Sequence, residues 1–319
     1  MIRDVPLVGL MILNRNGRQW LAPLYESLRR QEYPKLRVYL IDNASSDDSV
    51  ALTLEQYPEV NILRFSENIG YCMAYNRAMP HAFADGCEWV VWANNDLLLE
   101  PGCLRELARA ATQSPDIGVA GPAFYAWDCD EPNDYMRGNH PGAIEPMQEG
   151  CSAPIDVAWV EGSFLAVSAA CVRDVGWLDP FLFFYWEEAD FCRRARRKGW
   201  RVVLAPRAIA RHYGGGSVAN PENAGWANLL KSRNQYVYEL ASPHHSFAVN
   251  LLNGLHMFLV LAKSGLKQSP TAFIYEVGAL WRLLFELGSI KAKWRRDRTG
   301  GSPPPVSERY AQVILKIVN

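Results

Sequence analysis

The stretch that decides the fold is Trp89–Leu99, which reads WVVWANNDLLL. Its apolar run stops abruptly at Asn94, Asn95 and Asp96, and an apolar run bounded by polar residues is typical of a buried strand. Ligands of open α/β sheets bind outside the carboxyl ends of the strands. Asp96 is therefore predicted to lie at the mouth of a sheet, where a lone carboxylate suits Mg²⁺ or Mn²⁺. For an isolated Asn-Asn-Asp, an ordinary Asx turn is the alternative.

Apolar runs of strand length alternate with segments of helical periodicity through the first third of the chain, which predicts an α/β fold with a mostly parallel sheet covered on both faces. The predicted strands in this part are Leu7–Leu13, Leu36–Ile41, Val60–Phe65, Glu88–Ala93 and Ile117–Gly121. Residues 124–154 have no period, and we predict a long surface loop there. Strands are again predicted at Ile155–Val160, Phe164–Val167 and Arg201–Leu204.

Five further polar clusters are placed like Asn94-Asn95-Asp96, at the ends of predicted elements. Asp42 and Asn43 close a strand, and Asn68-Ile69-Gly70 opens a helical segment that carries Asn76. Later come Gly162-Ser163-Phe164, the acidic group Glu187-Glu188-Ala189-Asp190, and His212 followed by a glycine-rich turn at 214–217. Each cluster alone is weak, because turn chemistry at a strand end explains it equally well.

Taken in this order, the clusters resemble the signature of the family 2 glycosyltransferases, inverting enzymes of the GT-A fold. The match runs from about Val5 to about Ser217. The resemblance implies a GT-A, Rossmann-like catalytic domain over residues 1–217, with an acceptor-side loop at about 124–154. Residues 218–319 are then a C-terminal helical region that could associate with a membrane.

The resemblance also assigns roles to individual positions. Asp96 and His212 match the metal-binding positions. The positions that match donor contacts are Asn14, Asp42, Asn43, Asn68, Gly70, Asn76, Asn95, Gly162 and Ser163. Tyr75 stands where related enzymes often carry Arg, so a direct arginine–diphosphate contact from this helix is not expected.

The acidic group supplies the predicted catalytic base. Glu188 matches the family's base position, Glu187 competes for the role, and Asp190 completes the catalytic set. A carboxylate can accept the acceptor proton as the new bond forms. Trp186 and Tyr185 could stack on the acceptor sugar. The alternative is an acidic helix start stabilised by the helix dipole.

Composition narrows the class and the location of the protein. The 319 residues carry a formal net charge of −1, which gives no drive towards nucleic acid. The seven Cys residues show no C-x-x-C spacing, and the N-terminus does not read as a signal peptide, so we expect reduced thiols and a cytoplasmic protein.

The C-terminal region leaves two interpretations open. Phe247–Ala262 is apolar but too short and too polar to span a bilayer, and Ala272–Ile290 runs into the basic stretch 291–298. These helices are either a cap on the catalytic domain or an interfacial platform on the anionic inner face of the cytoplasmic membrane.

The leading prediction is an inverting, Mn²⁺- or Mg²⁺-assisted glycosyltransferase. By resemblance to enzymes that build bacterial surface polysaccharides, we expect a UDP- or dTDP-sugar donor and a glycan or lipid-linked acceptor. The alternatives are a sugar-phosphate nucleotidyltransferase and a non-catalytic nucleotide-sugar-binding scaffold. The nucleotidyltransferase is disfavoured because residues 7–18 contain only Gly9 and Gly17 and form no glycine-rich triphosphate loop.

Overall fold

A computed structural model describes residues 5–214, 221–268 and 270–303. Residues 215–217 of the predicted glycine-rich turn lie outside these ranges. The strands are β1 (Val8–Asn14), β2 (Leu36–Asn43), β3 (Asn61–Phe65), β4 (Trp89–Asn94), β5 (Leu97–Leu99), β6 (Ile117–Tyr125), β7 (Ile155–Asp156), β8 (Phe164–Ser168) and β9 (Arg201–His212). The helices are α1 (Arg18–Arg29), α2 (Ser49–Gln56), α3 (Gly70–Ala84), α4 (Cys103–Ala111), α5 (Asp134–Asn139), α6 (Pro141–Gln148), α7 (Ala169–Val175), α8 (Glu187–Arg197), α9 (Pro221–Leu240), α10 (Phe247–Gln268) and α11 (Pro270–Arg298).

The strands form one mixed sheet in the order β3-β2-β1-β4-β8-β6-β9-β5, with β7 paired to β9. Parallel pairing joins β1 to β2 and β4, β2 to β3, and β6 to β9. The predicted α/β fold is confirmed, but the sheet is less parallel than expected, because β8 runs antiparallel between β4 and β6. The strands β5 and β7 also pair antiparallel to β9.

Apolar side chains fill both faces of the sheet. One core packs Leu10, Ile12 and Ala93 against α1 and α4, and the other packs Met11 and Trp92 against α3 and α8. Since β1 and β4 are buried on both faces, they read in the sequence as continuous apolar runs rather than alternating ones.

Three regions differ from the sequence-based expectation. The predicted strand Ile155–Val160 is shortened to β7, which covers only Ile155–Asp156. The predicted loop at 124–154 contains α5 and α6, whose Met136 and Met147 are buried in the first core. Strand β9 continues to His212 instead of ending at Leu204, because a bulge between Ala205 and Ile209 interrupts its period and pairing then resumes.

This topology brings several strand ends to one edge. Asn14 is in register with Asp42, and Leu13 with Asn94. Because β8 is antiparallel to β4, the start of β8 also lies at this edge, with Phe164 opposite Ala93. The far end of β9 joins them, since His212 is in register with Leu97.

Candidate active site

A cleft of about 260 Å³ opens at this edge of the sheet. Strand ends, the loop before α8 and one residue of α9 line it. The lining residues are Leu13, Arg15, Asn43, Asn68, Gly70, Tyr71, Asn94, Asn95, Asp96, Glu161, Gly162, Ser163, Phe183, Phe184, Tyr185, Glu187, Glu188, His212 and Trp226. The structure thus gathers eleven of the sixteen predicted site residues from the ends of β2, β4, β8 and β9 and the starts of α3 and α8.

Asp96 and His212 lie side by side in the cleft. The Nε2 atom of His212 is 3.3 Å from Oδ1 of Asp96, and the backbone N–H of Tyr213 donates to the carbonyl of Asp96 at 3.0 Å. Burial alone would lower the pKa of the His212 imidazole, but hydrogen bonds to Asp96 and Glu161 raise that pKa to about 10. The two predicted metal-binding residues are therefore adjacent, although 116 positions separate them in the chain.

These two donors fit a divalent cation. Two neighbouring ligands at about 2.1 Å on an octahedral ion lie about 3 Å apart, close to the observed separation. Within the described ranges, no group of three or more His, Cys, Asp or Glu side chains has metal-ligating geometry. Two protein ligands completed by phosphate oxygens and water are the usual arrangement for Mg²⁺ in nucleotide sites.

Glu161 is a cleft residue that the sequence analysis missed. Its Oε1 accepts hydrogen bonds from Nδ1 of His212 at 2.6 Å and from the Ser163 hydroxyl at 2.7 Å. The Glu161 side chain is 14% exposed, so this contact is shielded from solvent. Its position between two predicted strands, directly before the Gly162-Ser163-Phe164 cluster, was the available signal.

The two glutamates at the start of α8 differ in their accessibility. Glu187 is buried, at 3% exposure, and burial raises the pKa of its carboxyl well above the usual value, with the Glu188 charge adding to the effect. Glu188 is partly exposed on the cleft wall. Burial raises the pKa of Glu188 to about 7, and the nearby Glu161 carboxylate contributes. A carboxyl group that titrates near neutral pH is suited to accept a proton from a hydroxyl.

The loop that carries these glutamates has a strained backbone. Phe183, Tyr185 and Trp186 adopt φ values of +60°, +71° and +69°, which cost free energy for residues other than glycine. The buried amide of Asn234 on α9 donates to the carbonyls of Leu182, Phe184 and Tyr185 at 2.6–2.9 Å. The C-terminal helices therefore hold this loop in place.

The Asn68-x-Gly70 motif joins α3 to the same loop. Gly70 has a φ of +78°, and a Cβ atom there would lie 2.4 Å from the Phe183 ring. The backbone N–H of Tyr71 donates to the carbonyl of Phe183 at 2.9 Å. Asn43 donates to the Asn68 side chain at 2.9 Å, so the motif also contacts the end of β2. Glycine is needed at position 70 both for its dihedral angle and for the close approach of the ring.

Within the described part of the chain, five predicted site residues lie off the cleft wall, and two of these lie directly behind it. Asn14 is fully buried and accepts a hydrogen bond from the Asn95 amide at 2.7 Å. Asp42 is also fully buried, and Arg64 pairs with its carboxylate at 3.2 Å. Asn14 thus contacts the cleft residue Asn95, and Asp42 directly precedes the cleft residue Asn43 in β2.

Asn76 and Trp186 also lie off the cleft wall, and their side chains contact other parts of the protein. Asn76 is buried and exchanges two hydrogen bonds with the backbone of Leu178, at 2.8 and 3.0 Å, which ties α3 to the segment before α8. The Trp186 ring packs on Tyr238 of α9, with 5.2 Å between ring centroids, whereas Tyr185 does line the cleft.

Asp190 belongs to a buried ion cluster below the cleft rather than to its wall. Lys293 of α11 donates to Asp190 at 2.6 Å and to Asp179 at 2.9 Å, and it pairs with Asp297 at 3.0 Å. Arg194 also donates to Asp190, at 2.9 Å. With three cations in reach, Lys293, Arg194 and Arg193, the Asp190 carboxylate anchors α8 to α11, which explains why it is turned away from the cleft. The partners in α11 could not be inferred from the local sequence.

The aromatic cleft residues were also missed. Tyr71, Phe183, Phe184 and Trp226 line the cleft, and the Tyr71 hydroxyl donates to the carbonyl of Gly162 at 2.5 Å. Trp226 lies on α9, beyond the predicted catalytic region, where the sequence carries no motif to mark it.

Two family models and one curated relative match the sequence of this chain. The model of glycosyl transferase family 2 matches residues 10–157, and that of glycosyl transferase family group 2 matches residues 89–287, more than half of the chain. A curated relative from Mycobacterium tuberculosis, N-acetylglucosaminyl-diphospho-decaprenol L-rhamnosyltransferase, is 28% identical over 235 residues, which cover 66% of this chain and 75% of the relative.

Solved structures show the same fold. The mannosyltransferase PcManGT from Pyrobaculum calidifontis, in complex with GDP-Man and Mn²⁺, superposes with a TM-score of 0.55 at 17% identity, covering 98% of this chain and 87% of the mannosyltransferase. GalNAc-T7 with UDP, GalNAc and Mn²⁺ gives a TM-score of 0.60 at 13% identity, covering 99% of this chain and 58% of GalNAc-T7. The chain therefore belongs to family 2 of the glycosyltransferases, and it is a glycosyltransferase with the GT-A fold.

Proposed function

We propose that this enzyme is an inverting, metal-assisted glycosyltransferase that moves a sugar from a nucleoside-diphosphate sugar to an acceptor hydroxyl. The observation that carries the proposal is a single cleft lined by two kinds of group. Asp96 and His212 are suited to a divalent cation, and Glu188 is a partly exposed carboxyl with a pKa of about 7.

Each group then has one task in the reaction. Asp96 and His212 would hold Mn²⁺ or Mg²⁺, and the ion would supply positive charge to neutralise the diphosphate. The acceptor oxygen attacks the anomeric carbon from the face opposite the diphosphate, and a new C–O bond forms as the bond to the phosphate oxygen breaks. The diphosphate leaves with the electron pair, and Glu188 takes the acceptor proton. Attack from the opposite face inverts the anomeric configuration.

The relatives support the substrate classes. The mannosyltransferase structure holds GDP-Man and the GalNAc-T7 structure holds UDP, each with Mn²⁺. The name of the mycobacterial relative describes transfer of rhamnose to a lipid-linked diphosphate sugar. We propose a UDP- or dTDP-sugar donor and a glycan or lipid-linked acceptor for this chain, in the synthesis of a cell-envelope polysaccharide. The UDP complex supports a UDP-sugar, and the mycobacterial relative supports a lipid-linked acceptor.

Donor turnover tests the reaction type. Nucleotide sugars are incubated with the enzyme and Mn²⁺, and the products are separated. Release of a nucleoside diphosphate supports the transferase. Release of pyrophosphate from a sugar phosphate and a nucleoside triphosphate would indicate a nucleotidyltransferase, and no turnover of any donor would indicate a binding scaffold.

Replacing Asp96 tests the metal assignment. Asp96→Asn keeps the shape of the side chain but removes its charge, so we expect Mn²⁺-dependent donor affinity to fall at least about tenfold. The control is Glu59→Gln, at an exposed carboxylate before β3, away from the cleft. Wild-type Mn²⁺ dependence in Asp96→Asn would contradict the metal assignment.

We also propose that the outer surface of α10 and α11 binds an anionic membrane. Over the described residues, no helix is both long and apolar enough to cross a bilayer. The surface nevertheless exposes large apolar side chains, here called the apolar face. They are Leu251, Leu252, Leu255, Leu259, Val260, Ile274, Val277, Trp281, Leu284 and Phe285, with Phe285 76% exposed.

The charges around the apolar face favour anionic lipid. Glu276 accepts hydrogen bonds from the hydroxyls of Ser232 and Tyr236, and Glu286 pairs with Arg233, so both carboxylates are directed towards α9. Lys263 and Lys291 are exposed beside the face, and further exposed cations follow at 295 and 298. An apolar surface flanked by cations suits the headgroup region of an anionic leaflet.

Vesicle binding by the full-length protein tests this proposal. The variant Trp281→Ser/Phe285→Ser removes two rings that would each contribute about 1.5–3 kcal/mol on burial, so we expect at least about a hundredfold weaker binding to phosphatidylglycerol vesicles. The control Leu54→Ser removes a side chain that is 60% exposed on α2, and it should bind like wild type. Equal binding by all three proteins, or binding by none, would contradict the proposal.

A further inference from the structure

His212 is held by a carboxylate on the edge of its ring opposite Asp96. Glu161 precedes β8 and His212 ends β9, and Nδ1 of His212 donates to Oε1 of Glu161 at 2.6 Å. The Ser163 hydroxyl donates to the same oxygen at 2.7 Å, and the backbone N–H of Asn94 donates to the carbonyl of Ser163 at 2.8 Å. Glu161 is thus fixed to the strand pair β4–β8.

The orientation of the ring follows from this contact. An imidazole has two nitrogens on diverging edges, and when one is held as a donor to a carboxylate, the other can ligate a cation once that cation has displaced its proton. Glu161 occupies Nδ1, so Nε2 faces the cleft, 3.3 Å from Asp96. Metal-bound histidines usually donate their second N–H to a carboxylate or carbonyl in this way, which sets the tautomer and the ring orientation.

We infer that Glu161 is a positioning residue that orients His212, so that Nε2 lies beside Asp96 as the second protein ligand of the divalent cation. The inference rests on the proposed metal-assisted function and adds a residue to it. Because Oε1 of Glu161 bonds the opposite edge of the ring from Asp96, Glu161 acts through His212 and does not ligate the same ion through that oxygen.

This role is tested by titrating the enzyme with Mn²⁺ in the absence of any nucleotide sugar. The electron paramagnetic resonance signal measures the free Mn²⁺ at each point of the titration. Removing the orienting partner of a ligand typically weakens metal affinity 10- to 100-fold, and we expect that loss in Glu161→Ala. Glu161→Gln keeps an amide oxygen that can accept the Nδ1 proton, so it should bind Mn²⁺ more tightly than Glu161→Ala. Because Gln has nearly the shape of Glu, this variant also tests the role if Glu161→Ala fails to fold.

A double-mutant cycle separates positioning from other effects. In the His212→Ala background, Glu161→Ala should cause no further loss of Mn²⁺ affinity, because the residue through which Glu161 acts is gone. An equal loss in both backgrounds would overturn the inference, since it would show that Glu161 acts on the ion directly or through its charge. Wild-type affinity in Glu161→Ala would overturn it as well.

The same titration distinguishes failure of the inference from failure of the proposed function. If Asp96→Ala weakens Mn²⁺ binding and Glu161→Ala does not, the metal site stands and only the role of Glu161 is wrong. If the wild-type enzyme binds no Mn²⁺, the metal assignment and the role of Glu161 both fall.

Discussion

Replacing Glu188 with Gln removes the proposed base and leaves the shape of the cleft almost unchanged. Glu188 is partly exposed on the cleft wall, whereas its neighbour Glu187 is 3% exposed. Loss of a general base typically lowers the rate about 10²–10⁴-fold, which corresponds to about 2.7–5.5 kcal/mol in the activation free energy. We expect kcat of Glu188→Gln to fall by this factor while the donor KM changes little, because the base contacts the acceptor.

The pH dependence follows from the same carboxyl. Burial raises the pKa of Glu188 to about 7, so the carboxylate that accepts the proton is lost as the pH falls through that value. The ionised fraction is about one tenth at pH 6 and about nine tenths at pH 8, so the chemical step should be about tenfold slower at pH 6. Without the raised pKa, a glutamate would stay ionised throughout this range.

The assay is release of nucleoside diphosphate in single-turnover experiments between pH 5.5 and 9, with a donor and an acceptor that the wild-type enzyme uses. Glu187→Gln is the matched control and should keep most of its activity, while Glu188→Asp should keep part of it. An inactive Glu187→Gln beside an active Glu188→Gln would assign the base to Glu187. Full activity of both variants, or a chemical step independent of pH from 6 to 8, would refute the reasoning.

Two further predictions concern stability. Lys293→Met removes the buried cation that bridges Asp179, Asp190 and Asp297 and leaves these carboxylates with fewer cations, so the free energy of unfolding should fall by about 3–5 kcal/mol in chemical denaturation. Lys291→Met, at an exposed position on the same helix, should stay within about 0.5 kcal/mol of wild type, and equal effects would contradict the role of the cluster. Gly70→Ala places a Cβ 2.4 Å from a ring and strains a left-handed residue, so we expect a loss of about 2 kcal/mol or more and weaker donor binding. Gly142→Ala, where nothing lies within 4 Å, is the matched control in thermal unfolding and donor titration, and unchanged values in both variants would show that the close approach does not matter.

Much of the candidate site could be predicted because its residues lie at the ends of strands and at the starts of helices. The apolar runs of β1, β2 and β4 are visible in the sequence, and parallel strands place their carboxyl ends at one edge. Asn43, Asn95 and Asp96 therefore meet at the cleft as expected. The ends of elements were harder to predict, because a bulge extends β9 and short helices occupy the expected loop at 124–154.

The residues that the sequence analysis missed or placed elsewhere depend on pairing between distant segments. Glu161 reaches the cleft only because β8 inserts antiparallel between β4 and β6. Asp190 turns away because its partner Lys293 lies 103 positions later in the chain. Asn234 holds the strained loop before α8 from a helix that carries no motif.

The sequence by itself determined the α/β class, the order of the polar clusters and the set of side chains available for metal, donor and proton chemistry, because strand periodicity and turn residues are local properties of the chain. Only the tertiary structure decided which of Glu187 and Glu188 is exposed to solvent and which carboxylate contacts Nδ1 of His212. Burial and hydrogen bonding depend on the packing of segments that are far apart in the chain. No local sequence pattern predicts that packing.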